Sequence, residues 1–116
     1  MFYIEVNIGD IKKQFVLDSG ASEISISSNL ERELIAKGII KKEHYLQSAL
    51  YKIADGSIVT KRRVLIPKIK VGDFELYNIA ASVGTSDIPL LLGKSFLDKF
   101  TKWSIDNKED ILTLQN

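Results

Sequence analysis

The chain has 116 residues, enough for one domain, and its 45% hydrophobic and 27% charged content fits a folded globular protein rather than a disordered one. Sixteen Lys and Arg against fifteen Asp and Glu leave a net charge of +1, so no bulk field points to nucleic acid or an anionic membrane. Cysteine is absent and His44 is the single histidine, which argues against disulfides, a thiol nucleophile, a Cys/His metal site and a serine triad.

Phe2, Ile4, Val6 and Ile8 alternate with Tyr3, Glu5 and Asn7, the period-two pattern of a strand with one buried face. Gly9-Asp10 supplies a turn, and Ile11 to Leu17 reads as the returning strand of a hairpin. Beyond an Asp18-Ser19-Gly20 turn, Glu23 to Ile26 reads as a short strand. Ser28 and Glu31 form an S-x-x-E capping pattern, which predicts a helix from Asn29 to Lys37 that stops at Gly38, with Leu30 and Leu34 facing the core. Residues 39–49 fit a loop or a short helical turn, with His44 as a surface residue. Leu50 to Ile53 leads as a strand into a hairpin tip at Ala54-Asp55-Gly56-Ser57. Ile58 to Val71 forms one long strand or two successive ones, with Pro67 at an edge and Lys61-Arg62-Arg63 as a solvated face. Gly72-Asp73 turns the chain into Phe74 to Val83. Leu90 to Leu92 reads as a short buried strand, Gly93 as a break, and Ser95 to Phe100 as a second helix. Trp103 to Asp106 and Ile111 to Leu114 close the chain as a hairpin, with Asp106 and Asp110 as turn residues. The expectation is a single domain over residues 1–116, mainly β with one or two short helices.

A faint repeat runs through this order. "NIGDIKKQFVL" and "KVGDFELYNIA" both place Gly-Asp between two strand patterns, and each hairpin leads to a glycine-containing turn and a helix. Two such units suggest pseudo-twofold architecture. No apolar run approaches bilayer length, since Ile88 to Leu92 is short and broken by Pro89, and no secretory leader opens the chain.

The stretch "QFVLDSGASEIS" sets a carboxylate, Asp18, against the end of an apolar strand. Two readings follow from these residues alone. Asp18 caps a tight turn, as Asp often does, or the cost of placing a charge there is kept because the carboxylate does chemistry. A glycine two residues on lets the loop aim backbone amides at the carboxylate. Two such carboxylates a few ångströms apart share one proton, and the pair can activate a water against an amide with no metal and no side-chain nucleophile.

"FVLDSGAS" resembles the apolar–apolar–Asp-Thr/Ser-Gly-Ala signature of retropepsin-like aspartic proteases. "IADGSIV" falls where that family has its flap, "PLLLGKSFLDKF" is similar to its second landmark of apolar residues, Gly and a helix, and "WSIDNKEDILTL" resembles the closing hairpin of bacterial single-domain members. The resemblance implies a mainly β, small closed barrel-like acid-protease fold with a flap hairpin and one or two short helices. It implies an aspartic endopeptidase that needs no cofactor or metal and acts on peptide or protein substrates. Asp18 would be the catalytic carboxylate. Ser19 would hydrogen-bond across a dimer, while Gly20 and Ala21 would line the substrate channel. Ala54, Asp55 and Gly56 would form the flap tip, and Leu91, Leu92 and Gly93 the strand supporting the active-site loop. Ser19 replaces the Thr of many members but keeps the hydroxyl, and Ser22 stands where retroviral members often carry Asp, so their substrate contacts do not transfer there.

One chain carries one such Asp motif, so an active enzyme would be a homodimer with two copies of Asp18. The alternative is a catalytically inactive protease-fold module for dimerisation or peptide binding. A phosphorylation-dependent Asp-Ser-Gly motif needs exposure that the Phe15 to Leu17 run opposes. The compartment stays open: periplasmic or membrane-associated if the chain is a trimmed domain, cytoplasmic otherwise.

Overall fold

The computed structural model of the protein describes residues 2–86 and 88–116. Strand β1 (Tyr3–Ile8) and strand β2 (Ile11–Leu17) form the first hairpin, in register from Tyr3↔Val16 to Ile8↔Ile11. The alternation does what it predicts: Ile4, Val6 and Ile8 are buried, and Glu5 is exposed. Strand β3 (Ile24–Ile26) follows the Asp18 turn and leads to helix α1 (Ser28–Ala36). Its cap is Ser27, one residue earlier than the S-x-x-E pattern indicates, and the Ser27 Oγ accepts from the Leu30 amide at 3.1 Å. Glu31 is drawn away from any capping role by partners on distant strands, described below. Leu30 and Leu34 are buried as expected, each stabilising the fold by about 1.5–3 kcal/mol relative to exposure.

A single 3-10 turn (Lys42–His44), in which His44 Nδ1 accepts from the Lys41 amide at 2.8 Å, opens strand β4 (Tyr45–Lys52). This strand begins five residues before the Leu50 start suggested by its composition. Strand β5 (Ile58–Val71) and strand β6 (Phe74–Val83) have the expected bounds, joined at Gly72, whose φ is +59°. β5 is one strand with two buried faces. Val64 and Ile66 are buried, then Ile69 and Val71, so the inward parity changes across Pro67. Pro67 lies opposite Asn78, at the one position the β5–β6 register skips, and Asn78 has φ +56°. β5 is interior to the sheet, yet Pro67 falls between the stretch paired with β4 (58–64) and the Asn7↔Lys70 pair with β1, where its missing N–H costs no ladder bond.

Strand β7 is only Leu91–Leu92, and helix α2 is Lys94–Leu97, shorter than the Ser95 to Phe100 span expected. Strands β8 (Lys102–Asp106) and β9 (Ile111–Gln115) form a separate two-stranded sheet, whose turn is capped by Asp106 Oδ1 accepting from the Lys108 and Glu109 amides.

The main sheet runs β1-β2-β7-β3-β6-β5-β4, and the β1–β5 pair links its first strand back to its sixth. The two hairpin units exchange their short strands. β7 pairs parallel with β2 (Val16↔Leu91, Leu17↔Leu92), and β3 pairs parallel with β6 (Ile24↔Ala81 to Ile26↔Val83). That exchange is the pseudo-twofold relation suggested by the repeat. Phe15, Ile24, Ile26, Leu34, Ile66, Leu92 and Phe96 fill the interior, and Phe74 and Phe96 meet the Phe100 ring edge-on at 5.0 and 5.4 Å. No helix among the described residues is long and apolar enough to cross a membrane.

Candidate active site

Asp18 leaves β2 where that strand ends against β7. The Val16 amide donates to the Leu90 carbonyl at 2.8 Å and the Asp18 amide to the Leu92 carbonyl at 3.0 Å, so the residue is held by main-chain bonds on the second half of the molecule. Its side chain turns back on its own loop: Oδ1 accepts from the Gly20 amide at 2.9 Å, and the Ala21 amide donates to the Asp18 carbonyl at 3.1 Å. Asp18 is half-buried, while Ser19 and Gly20 are exposed. Among the described residues, the Ser19 hydroxyl has no hydrogen-bond partner within the chain.

The loop rests on Gly93. A Cβ there would lie 2.5 Å from the Glu23 carbonyl oxygen and 2.6 Å from that of Ala21, both backbone atoms. Only glycine permits this approach. Next to it, the Lys94 amide donates to the Ala21 carbonyl at 2.7 Å and the Ser95 amide to the Ser22 carbonyl at 2.9 Å. Leu91, Leu92 and Gly93 thus lie against Asp18 to Glu23.

The hairpin tip is built as a turn. The Ile53 amide donates to the Ser57 carbonyl and the Gly56 amide to the Ile53 carbonyl, both at 2.9 Å, and Gly56 has φ +89°. The Asp55 carboxylate accepts from the Ser57 hydroxyl at 2.6 Å and its amide at 2.9 Å, which together hold it below the usual carboxylate range. Ala54, Asp55 and Gly56 are exposed. No hydrogen bond among the described residues joins this tip to Asp18.

Sequence reasoning missed the polar seam beneath the hairpin. Arg62 and Arg63, read as part of a solvated face, each engage a carboxylate from the other side of the molecule. Arg62 Nη2 lies 2.6 Å from Glu31 Oε1, and Tyr45 Oη donates to Glu31 Oε2 at 2.6 Å. Burial works to raise the Glu31 pKa, but the bonds from Arg62 and Tyr45 outweigh it and hold the carboxyl below its ordinary value. Burial and the same carboxylate push the Tyr45 phenol up to about 12. Arg63 Nη2 lies 3.1 Å from Glu23 Oε2, and the Tyr51 hydroxyl donates to Glu23 Oε1. Burial, then Glu23, raises the Tyr51 phenol, and Glu23 raises the Arg63 guanidinium. Adjacent arginines on a strand point to opposite faces, and that alternation opposite a strand carrying two tyrosines was the available signal. A concavity of about 350 Å³ lies against the hairpin, lined by Val59, Lys61, Val83, Gly84 and Ile88 among others. Among the described residues no cluster of three or more His, Cys, Asp or Glu is placed to hold a metal ion.

The family model described as "gag-polyprotein putative aspartyl protease" matches residues 4–99. An uncharacterized protein of Rickettsia prowazekii (strain Madrid E) is 31% identical over 114 residues, covering 97% of this chain and 46% of that protein. The chain thus spans about half the length of that relative. Among solved structures, a retropepsin-like aspartic protease from Rickettsia conorii superposes with a TM-score of 0.65 at 26% identity, over 97% of this chain and 78% of the other.

Proposed function

Because the chain belongs to the family of retropepsin-like aspartic proteases, we propose that residues 1–116 act as a single aspartic endopeptidase domain, active as a homodimer through Asp18 of each copy. The observation that carries this reading is a well-supported half-site. Asp18 is fixed by Leu92, Gly20 and the Gly93 buttress, while the matching place in the second unit holds Leu91-Leu92-Gly93 and offers no carboxylate. The second carboxylate has to come from another copy. Ser19, exposed beside Asp18, would bond across such a twofold axis through its hydroxyl.

In the assembled pair the two carboxylates share one proton. The ionised Asp18 takes a proton from a water, whose oxygen bonds to the peptide carbonyl carbon. The protonated partner carboxyl gives its proton to the carbonyl oxygen. The tetrahedral species then collapses: the proton now on Asp18 moves to the nitrogen, one hydroxyl of the tetrahedral carbon returns its proton to the ionised partner carboxylate, and the C–N bond breaks to give an acid and an amine with the one-proton pair restored. The hairpin tipped by Ala54, Asp55 and Gly56 covers the site, and an extended substrate lies beneath it. The edge of β9 that no strand among the described residues pairs, with the exposed Tyr3, Trp103 and Ile111, supplies a surface for the second copy.

Asp18→Asn tests the assignment. The amide keeps the shape and can still accept from Gly20, but it cannot serve as the base. Cleavage of a peptide mixture should vanish while the circular dichroism spectrum and the dimer persist. A clean Asp18→Asn preparation that still cleaves would end the reading.

A further inference from the structure

One carboxylate outside the Asp18 turn gathers both arms of the covering hairpin. Glu23 lies five residues after Asp18 at the end of the same loop, and its side chain is only 15% exposed. Its oxygens receive Arg63 Nε at 3.3 Å, Arg63 Nη2 at 3.1 Å and the Tyr51 hydroxyl. Arg63 is on β5 and Tyr51 on β4.

The two attachments differ in what stands behind them. Arg63 is opposite Ser82 of β6, and the Ser82 Oγ lies 3.3 Å from Ser25 Oγ of β3, so this arm is anchored in the main sheet. β5–β6 pairing stops at Arg62↔Val83, whereas β4–β5 pairing continues to Lys52↔Ile58. Residues 58–61 and their β4 partners therefore form a two-stranded ribbon beyond the sheet, an element that is marginal by itself. Tyr51 is inside that ribbon, paired with Val59, with Lys61 Nζ 5.2 Å above its ring.

We propose that Glu23 is a positioning residue that latches the hairpin onto the Asp18 loop, with Arg63 as its fixed side and Tyr51 as its releasable side. Breaking the Tyr51–Glu23 bond, together with the lesser contact of the same hydroxyl with Ser82, lets the ribbon swing about the Arg63 anchor and admits substrate. This rests on the reading of the hairpin as the cover of the Asp18 site, but its test requires no cleavage.

Because the chain has no cysteine, nitroxide labels can be placed at Ala54→Cys on the tip and Arg32→Cys on α1. One doubly labelled chain per dimer is obtained by mixing with excess unlabelled protein, and pulsed electron resonance reads the tip-to-helix distance distribution. The otherwise unsubstituted chain should give one dominant distance. Tyr51→Phe, which removes one hydroxyl, should raise the open-to-closed ratio on the order of tenfold, the scale of a hydrogen bond to a charged group. Glu23→Gln should shift it in the same direction. Tyr45→Phe, at the sheet-anchored base opposite Val64, should leave it unchanged. A Tyr51→Phe distribution superimposable on the parent, or equal opening in Tyr45→Phe, would overturn the latch. Retained cleavage in Asp18→Asn would remove the protease assignment without touching these distances.

Discussion

Gly93→Ala is the sharpest test of how the Asp18 loop is held. The new methyl would meet two backbone oxygens, at 2.5 Å from Glu23 and 2.6 Å from Ala21, and neither can rotate away. Gly93 itself has φ −97° and ψ −164°, which alanine adopts freely, so the cost is overlap and not backbone strain. Overpacking costs about 1–3 kcal/mol. Relief requires the 18–23 loop to move off α2, which weakens the Lys94–Ala21 and Ser95–Ser22 bonds, each with a net contribution of about 0.5–1.5 kcal/mol. Restriction of the unfolded chain returns about 0.4–1 kcal/mol. The net loss is about 2–4 kcal/mol, a large share of the roughly 5–15 kcal/mol of a typical domain, with a Tm lower by about 10 °C. Urea unfolding followed by Trp103 fluorescence measures it, at one protein concentration because dimerisation is linked to stability. Gly72→Ala is the control: a Cβ there meets no atom within 4 Å, so its φ of +59° leaves only about 1 kcal/mol of backbone strain. A Gly93→Ala loss below about 0.5 kcal/mol, within the range of an ordinary surface change, would refute the close-approach argument.

Glu31→Gln probes the second ion pair. A carboxyl held below its ordinary pKa contributes stability above its unfolded pKa of about 4.3, and that contribution is lost as pH falls through the lower folded value. The unsubstituted chain should therefore exceed Glu31→Gln by about 1–3 kcal/mol at pH 7, and urea midpoints measured down to pH 3 should converge; a constant gap would contradict the linkage. Gly56→Val, at φ +89° in open space, should lower turnover and substrate affinity together with a stability loss of about 1–2 kcal/mol from backbone strain at the tip, and unchanged kinetics would make the hairpin purely structural. Specific activity should fall on dilution, and deleting 111–116 should weaken both dimer and activity, since β9 has an edge unpaired among the described residues and also packs Leu112 and Leu114 on the core. Sedimentation as a monomer at concentrations of constant specific activity would exclude a shared site.

The sequence by itself determined the local elements. Period-two alternation marked β1 to within one residue, and apolar runs between Gly-Asp turns marked β2, β5 and β6 at their observed bounds. Glycines at positive φ marked the turns at Gly9, Gly56 and Gly72. The Asp18 turn and the Leu91-Leu92-Gly93 stretch were legible as motifs. The tertiary structure alone decided what these pieces do to one another. Parallel pairing of β2 with β7 and of β3 with β6 joins strands more than fifty residues apart, and such pairing leaves no periodicity within either strand. The same holds for charge. Glu31 looked like a helix-capping residue and Arg62 and Arg63 like a solvated face, because a local pattern cannot tell a charge facing water from one facing a distant carboxylate. The early start of β4 follows from that partnership, since Tyr45 is held by Glu31 across the fold. Local chemistry sets where a strand can form; long-range packing and the need to pair buried charge decide which strand lies beside it.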